Sequence, residues 1–274
     1  MRCRPAVLVA VATTVLLLAG CAGGPSVGSE TDSSAVASSA SPRAGSGTVS
    51  GDLTVFAAAS LAASFGELAA EFRTEHPKVT VKPIVFDGSS TLATQLIEGA
   101  SADVFASADQ ANMTKVLDAG ELDGAARSFA TNTLEIAVQP GNPDGIRTLS
   151  DLAAPRRLVV LCAPQVPCGA ASKSLLALNK VKLTPVSEEQ NVTAVLTKVA
   201  AGEADAGLVY KTDIAASDGR VDAVPAANAD QAVNRYEIGQ PSSTTNQKAG
   251  AAFIEFVTSA SGQAILHKYG FGRP

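Results

Sequence analysis

The chain of 274 residues has no tryptophan, and aromatic residues make up only 4% of it. Because sugars and nucleobases are commonly held by stacking on aromatic rings, this scarcity argues against such a platform. The two histidines, His76 and His267, lie far along the chain from any candidate site turn, and no Gly-x-Ser-x-Gly elbow is present. Neither metal-ligand spacing nor a Rossmann or P-loop glycine pattern occurs. We therefore expect a protein that is not an enzyme, and an exported enzyme is the less favoured alternative.

A basic surface is also missing. The chain has 21 Lys and Arg against 26 Asp and Glu, a formal net charge of −5. Its basic residues are scattered, whereas nucleic-acid binding needs a basic face. We expect no nucleic-acid partner.

The N-terminus has the order of an export signal. Arg2 and Arg4 precede an apolar stretch at residues 6–18, which is short for a membrane span, and Leu18-Ala19-Gly20-Cys21 follows. Residues 1–20 resemble a bacterial lipoprotein signal peptide, which implies cleavage before Cys21 and acylation of its sulfur. The alternative is a plain secretory peptide in which the cysteine stands by chance. The lipoprotein reading predicts a chain anchored by lipid to the extracytoplasmic face of the cell membrane.

Residues 21–51 are mostly Gly, Ser, Ala, Thr, Val and Pro. They carry too few large apolar side chains to offset the entropy of ordering, so we predict a lipidated flexible tether. The folded body is then residues 52–274, long enough for one large domain or two lobes.

Strands and helices alternate along this body. Apolar runs at 53–57, 103–107, 134–138, 158–161 and 206–210 predict strands, and the segments between them show helical spacing. This order predicts an α/β fold with mainly parallel sheets.

Four predicted helix starts follow strands or turns: Ser60, Ser89-Ser90, Cys168-Gly169 and Asn191-Val192. A helix start offers unpaired N–H groups and a partial positive potential, although each could be an ordinary cap. In α/β sheets, the turns after strand ends line the ligand crevice. Together the four starts predict a cage of neutral donors for a small oxyanion. Such a cage disfavours an anion that keeps a proton, such as phosphate, because its O–H would find no acceptor.

Several motifs occur in a specific order and spacing. They are Val55-Phe56-Ala57-Ala58-Ala59-Ser60-Leu61, Phe86-Asp87-Gly88-Ser89-Ser90-Thr91-Leu92, Ala102-Asp103-Val104-Phe105-Ala106-Ser107-Ala108-Asp109, Val166-Pro167-Cys168-Gly169, Gly207-Leu208-Val209-Tyr210 and Tyr269-Gly270-Phe271. The chain resembles the molybdate-binding proteins of bacterial molybdate ABC importers. The resemblance implies a two-lobed type II periplasmic-binding-protein fold, each lobe a mainly parallel sheet flanked by helices, with the ligand in the cleft between them. Lobe I would comprise residues 52–131 and 237–274, and lobe II residues 132–236.

The resemblance also implies which residues bind the molybdate or tungstate dianion. Ser60 and Ser89 would donate through hydroxyl and backbone N–H, Cys168 and Val192 through backbone N–H, and Tyr210 through its hydroxyl. The molybdenum would be bound as the oxyanion, without a direct protein–metal bond and without a cofactor. The implied partners are an ABC permease and its ATPase, with the membrane reached through the lipid. The same fold binding sulfate or another small oxyanion remains the alternative.

Two features depart from the pattern of that family. Asp87 places an acid beside the anion turn, and Cys168 stands where alanine is common. Because the protein is exported, a disulfide between Cys162 and Cys168 is a reasonable hypothesis, with two free thiols as the alternative. A bridge there would stiffen the turn that offers the Cys168 N–H. Val192 is the least secure assignment because Asn191 could be the true cap.

Overall fold

Two five-stranded sheets flanked by helices organise residues 48–274, the part of the chain that the computed structural model describes. The predicted signal peptide, the lipidation at Cys21 and most of the predicted tether lie outside these residues. Within them, no helix is both long and apolar enough to cross a membrane.

The first sheet has the strand order β4-β2-β5-β12-β6. Its strands are β2 (Val55–Ala58), β4 (Val85–Asp87), β5 (Val104–Ser107), β6 (Leu122–Asn132) and β12 (Asn234–Pro241). A small parallel pair, β1 (Gly51–Leu53) with β3 (Val79–Val81), lies beside it. Its helices are α1 (Ala62–Glu75), α2 (Ser89–Ile97), α3 (Gln110–Asp118), α7 (Gln247–Thr258) and α8 (Ala260–Lys268).

The second sheet has the order β11-β7-β10-β8-β9. Its strands are β7 (Leu134–Val138), β8 (Val159–Cys162), β9 (Ser187–Glu189), β10 (Ala206–Tyr210) and β11 (Asp222–Val224). Its helices are α4 (Pro167–Leu178), α5 (Val192–Ala200) and α6 (Lys211–Ala215). Short 3₁₀ helices span Ala59–Leu61, Leu149–Ala153 and Ala229–Gln231.

The predicted α/β fold with helix-flanked sheets is confirmed, but the sheets are mixed rather than mainly parallel. In the first sheet β12 runs antiparallel to β5 and β6, and in the second β7 runs antiparallel to β10 and β11. Parallel neighbours need a crossover connection, usually a helix. The chain instead passes from β6 into β7 through Thr133 alone, and it enters β12 from the second sheet with only the short 3₁₀ helix Ala229–Gln231 in the connection. The predicted lobe limits fall inside β6 and β12 and stay a prediction.

The core of the first sheet is built from the apolar face of α1. The helical spacing of Leu61, Phe65, Leu68 and Phe72 predicts this face, and all four side chains are fully buried. Phe253 of α7 meets Phe72 edge to face with ring centroids 5.1 Å apart, a favourable aromatic geometry. The second sheet has a separate, largely aliphatic core that includes Val195, Leu196 and Val199 of α5. These cores fix the strand ends from which the site is built.

Candidate functional site

A small cavity lies between the helix starts of the two sheets. The five residues predicted from the sequence all line it: Ser60, Ser89, Cys168, Val192 and Tyr210. The other lining residues are Ala58, Ala59, Asp87, Gly88, Ala108, Val166, Pro167 and Asn191. The structure thus brings the predicted residues together, and their binding of a ligand stays a prediction.

The size and lining of this cavity restrict what it can hold. The space open to the centre of a water molecule is about 10 Å³, close to the least that a cavity needs to hold one small group. No Lys, Arg or His among residues 48–274 contributes to the lining. A void of this size suits a compact anion and is too small for a sugar or a nucleotide.

Three helices point their N-terminal ends at the cavity. Ser89 and Val192 are the first residues of α2 and α5, and Cys168 is the second residue of α4, after Pro167. N–H groups in a first helical turn have no acceptor within the helix. Neither α2 nor α4 has a side-chain cap. Asn191 is the N-cap of α5, a possibility that the sequence left open, and its side-chain oxygen accepts from the Ala194 N–H. This cap does not use the N–H of Val192, which lines the cavity.

Ser60 lies in the 3₁₀ turn next to Leu61, the N-cap of α1, and its hydroxyl does not cap that helix. Its Oγ lies 2.9 Å from Tyr236 Oη. The Asn132 side-chain amide donates to Thr212 Oγ1 at 2.8 Å and to Tyr236 Oη at 3.4 Å. With Tyr236 donating to Ser60, the Ser60 hydroxyl keeps its own proton for a ligand. Burial raises the pKa of Tyr236 above its ordinary value, so this phenol remains protonated.

Ser89 is oriented by the neighbouring strand. Its Oγ accepts a 2.9 Å hydrogen bond from the backbone N–H of Ala108, just after β5. Because this bond occupies a lone pair, the hydroxyl proton is left to point elsewhere, and the side chain lines the cavity. The Ser89 hydroxyl therefore accepts from Ala108 and still has its own proton to donate to a ligand.

Tyr210 ends β10 and is 1% exposed. Its hydroxyl oxygen is buried near the Tyr236 hydroxyl and makes no hydrogen bond of good geometry to any of the described residues. Burial, reinforced by Tyr236, Asp109 and Asp213, raises the pKa of Tyr210 well above its ordinary value. The phenol thus keeps its proton at neutral pH. A buried hydroxyl without a partner costs free energy, so one that lines a cavity indicates a ligand.

A disulfide joins Cys162, the last residue of β8, to Cys168 in the first turn of α4, with their Cα atoms 5.7 Å apart. Next to the bridge, Gly169 packs so closely against the backbone oxygen of Ala163 that a Cβ there would collide with it. The bridge and this contact together hold the start of α4, and hence the Cys168 N–H, against the end of β8.

Asp213 gives the fold a pH dependence. Its buried carboxylate accepts from the Tyr210 N–H, and burial raises its pKa from the ordinary 3.8 to about 7. The folded state holds this proton more tightly than the unfolded state. The stabilisation is therefore complete below about pH 4 and is lost as the pH rises towards 7.

We expect Asp213→Asn to flatten this dependence, because an amide oxygen can still accept from Tyr210 but cannot ionise. The unfolding free energy of the variant should exceed that of the unmodified protein at pH 8, by on the order of a few kcal/mol, and the difference should shrink towards pH 5. Denaturant titrations at both pH values measure it. If the unfolding free energies of the variant and the unmodified protein differed by the same amount at both pH values, this role for Asp213 would be contradicted.

Sequence reasoning missed the residues that orient the donors. Tyr236 and Asn132 belong to strands that the sequence analysis did not predict, and they reach Ser60 and Thr212 across the fold. The chain has only three tyrosines, and this rarity is the one sequence signal that could have drawn attention to Tyr236. The contact between Asp87 and Asn191 was also missed, because it joins turns of two different sheets.

The two helix-flanked sheets and the donor-lined cavity between them define a solute-binding protein. Residues 53–272 match the family described as bacterial extracellular solute-binding protein, and the chain belongs to that family. Proteins of this family are transport components outside the cytoplasm rather than enzymes. The fold and family predicted from the sequence are therefore confirmed.

Named relatives refine this picture. The chain is 45% identical to the molybdate-binding protein ModA of Mycobacterium tuberculosis, over 81% of this chain and 85% of that protein. It is 29% identical to the putative ABC transporter substrate-binding lipoprotein YvgL of Bacillus subtilis, over 97% and 96% of the two chains. The structure of the periplasmic molybdate-binding protein of Azotobacter vinelandii matches with a TM-score of 0.66 at 20% identity, covering 81% of this chain and 99% of that one. That last likeness shows the fold alone.

Proposed function

We propose that this protein captures molybdate, and tungstate with it, between its two sheets and delivers the anion to an ABC importer. The observation that carries the proposal is Tyr210, a buried donor that no described residue satisfies and that lines the cavity. The five binding residues are those predicted from the sequence. The relatives named for molybdate support the choice of anion.

The donor set explains how a dianion can be held without a cation. The cavity is lined by Ser60, Ser89 and Tyr210, which carry hydroxyls, and by Cys168 and Val192, which lie in the first turns of their helices. Hydrogen bonds to a charged partner are worth about 1.5–3 kcal/mol each, roughly twice a neutral pair. Three helix N-termini add their partial positive potential. This arrangement favours a fully deprotonated oxyanion.

The remaining assignments belong to the same proposal. We infer that Cys21 carries lipid and that the chain is tethered to the outer face of the cell membrane, which the lipoprotein relative supports. The partners are then a permease and its ATPase, and the protein has no enzymatic activity and needs no cofactor. Lobe I comprises residues 52–131 and 237–274, and lobe II residues 132–236.

A thermal-shift series with molybdate, tungstate, sulfate and phosphate tests the function. At a ligand concentration 100 times the Kd, binding raises the unfolding free energy by about 2.7 kcal/mol. Molybdate and tungstate should raise the melting temperature strongly. Phosphate should raise it less, because the carboxylate in the lining, Asp87, already uses its Oδ1 to accept from Gly88 and Asn191. A clear rise with sulfate and none with molybdate would establish the sulfate alternative instead.

A further inference from the structure

Two turns of different sheets meet directly at the edge of the cavity. Asp87 ends β4 in the first sheet, and Asn191 stands between β9 and α5 in the second. Asn191 Nδ2 donates to Asp87 Oδ1 over 2.9 Å. Both residues line the cavity, so the hydrogen bond joins the two sheets beside it.

The orientation of both side chains is determined by further bonds. Asn191 Oδ1 accepts from the Ala194 N–H at 2.9 Å and caps α5, so the amide nitrogen must face Asp87. The same Oδ1 of Asp87 also accepts from the Gly88 N–H at 2.7 Å. Two donors thus converge on one carboxylate oxygen, and one of the two comes from the opposite sheet.

Gly88 allows the two turns to approach closely. A Cβ at this position would collide with the backbone oxygen of Gln190, the residue before Asn191. Gly88 has φ −58°, a value that any residue adopts, so the need for glycine here comes from the approach of the opposite turn and not from backbone strain. The backbones of the two sheets therefore touch beside the hydrogen bond.

We propose that Asp87 and Asn191 form a latch that holds the two sheets together over the bound oxyanion and slows its release. The inference rests on the proposed function of the cavity. A carboxylate beside a dianion is unfavourable by charge alone, so its presence in the lining calls for a compensating contact, and the bridge to Asn191 supplies one. The latch acts after the anion has entered, because the two side chains meet only when the sheets are close. It lowers the rate of release and leaves the rate of capture unchanged.

The test uses the whole chain loaded with radiolabelled molybdate and chased with unlabelled molybdate. Asp87→Ala removes the acceptor, and Asn191→Ser keeps a side chain that caps α5 but is too short to reach Asp87. Asp87→Asn removes the same charge as Asp87→Ala, but its amide oxygen still accepts from Gly88 and Asn191, so the two Asp87 variants are compared with each other. Asp87→Ala should release molybdate about 10-fold faster than Asp87→Asn, and Asn191→Ser about 10-fold faster than the unmodified protein, with capture rates within about twofold in each comparison.

The double variant decides whether the two residues act as a pair. If they form one latch, Asp87→Ala combined with Asn191→Ser should release no faster than either single variant. Unchanged release in both single variants, or faster release in only one, would overturn the latch while molybdate binding itself remained intact. Failure of the unmodified protein to bind molybdate would overturn the proposed function, and the latch with it.

Discussion

Replacing Tyr210 by phenylalanine should lower the affinity for molybdate roughly 10- to 100-fold without destabilising the ligand-free protein. The change removes only a hydroxyl, and this hydroxyl is buried without a partner among the described residues. Binding loses a donor to a charged ligand, whereas folding loses no hydrogen bond. The unfolding free energy of the free protein should stay level or rise by up to about 2 kcal/mol. Isothermal titration and denaturant unfolding measure the two quantities.

Tyr269→Phe provides the matched control for this substitution. The Tyr269 hydroxyl donates to Glu67 Oε2 at 2.9 Å, away from the lining of the cavity. Its removal should leave the affinity for molybdate unchanged. Equal affinities of the Tyr210→Phe variant and the unmodified protein would show that the Tyr210 hydroxyl does not reach the anion.

Replacing Ser89 by alanine should weaken both binding and folding. The Ser89 hydroxyl accepts from the Ala108 N–H, so its loss leaves that buried N–H without a partner and costs about 1–3 kcal/mol of stability. The same substitution removes a donor to the anion, and the affinity should fall roughly 10-fold or more. Titration calorimetry and denaturant unfolding, run as for the Tyr210 variant, should therefore show a loss of both affinity and unfolding free energy in Ser89→Ala. Tyr210→Phe, in contrast, should lose affinity only.

Ser90→Ala is the control one residue further along α2. Ser90 is partly exposed and does not line the cavity. Loss of its hydroxyl should therefore change neither the binding free energy nor the unfolding free energy by more than about 0.5 kcal/mol. A Ser89→Ala variant with the stability of the unmodified protein would contradict the described bond to Ala108. Weak binding with full stability would place Ser89 in the site through its donor role alone.

The helix starts that line the cavity were predictable because each depends on a short local pattern. A strand followed by a capping or turn residue and a helical repeat predicts the helix starts at Ser60, Ser89 and Val192, whereas the assignment of Tyr210 to the site follows from the family resemblance. Such signals lie within a few residues of each other along the chain. The sequence therefore predicts where the donors are without predicting how the two sheets are paired.

The two strands at which the chain leaves and re-enters the first sheet, β6 and β12, could not be found in this way. β6 contains Gly124 at φ +75° and several small or polar residues, and its register with β12 shifts twice. Bulges interrupt the alternation of buried and exposed side chains from which a strand is recognised. β6 and β12 are strands because they pair with each other over a long sequence distance, and Tyr236, which orients Ser60, was missed with them.

The central claim is that neutral donors from both sheets surround a molybdate ion in this cavity, and a crystal structure of the protein with molybdate tests it most directly. The account predicts one anion with oxygens within hydrogen-bond distance of Tyr210 Oη, the hydroxyls of Ser60 and Ser89, and the N–H groups of Cys168 and Val192. It also predicts that no Lys or Arg touches the anion. A molybdate held elsewhere, or one in this cavity that leaves Tyr210 Oη without a partner, would contradict the account.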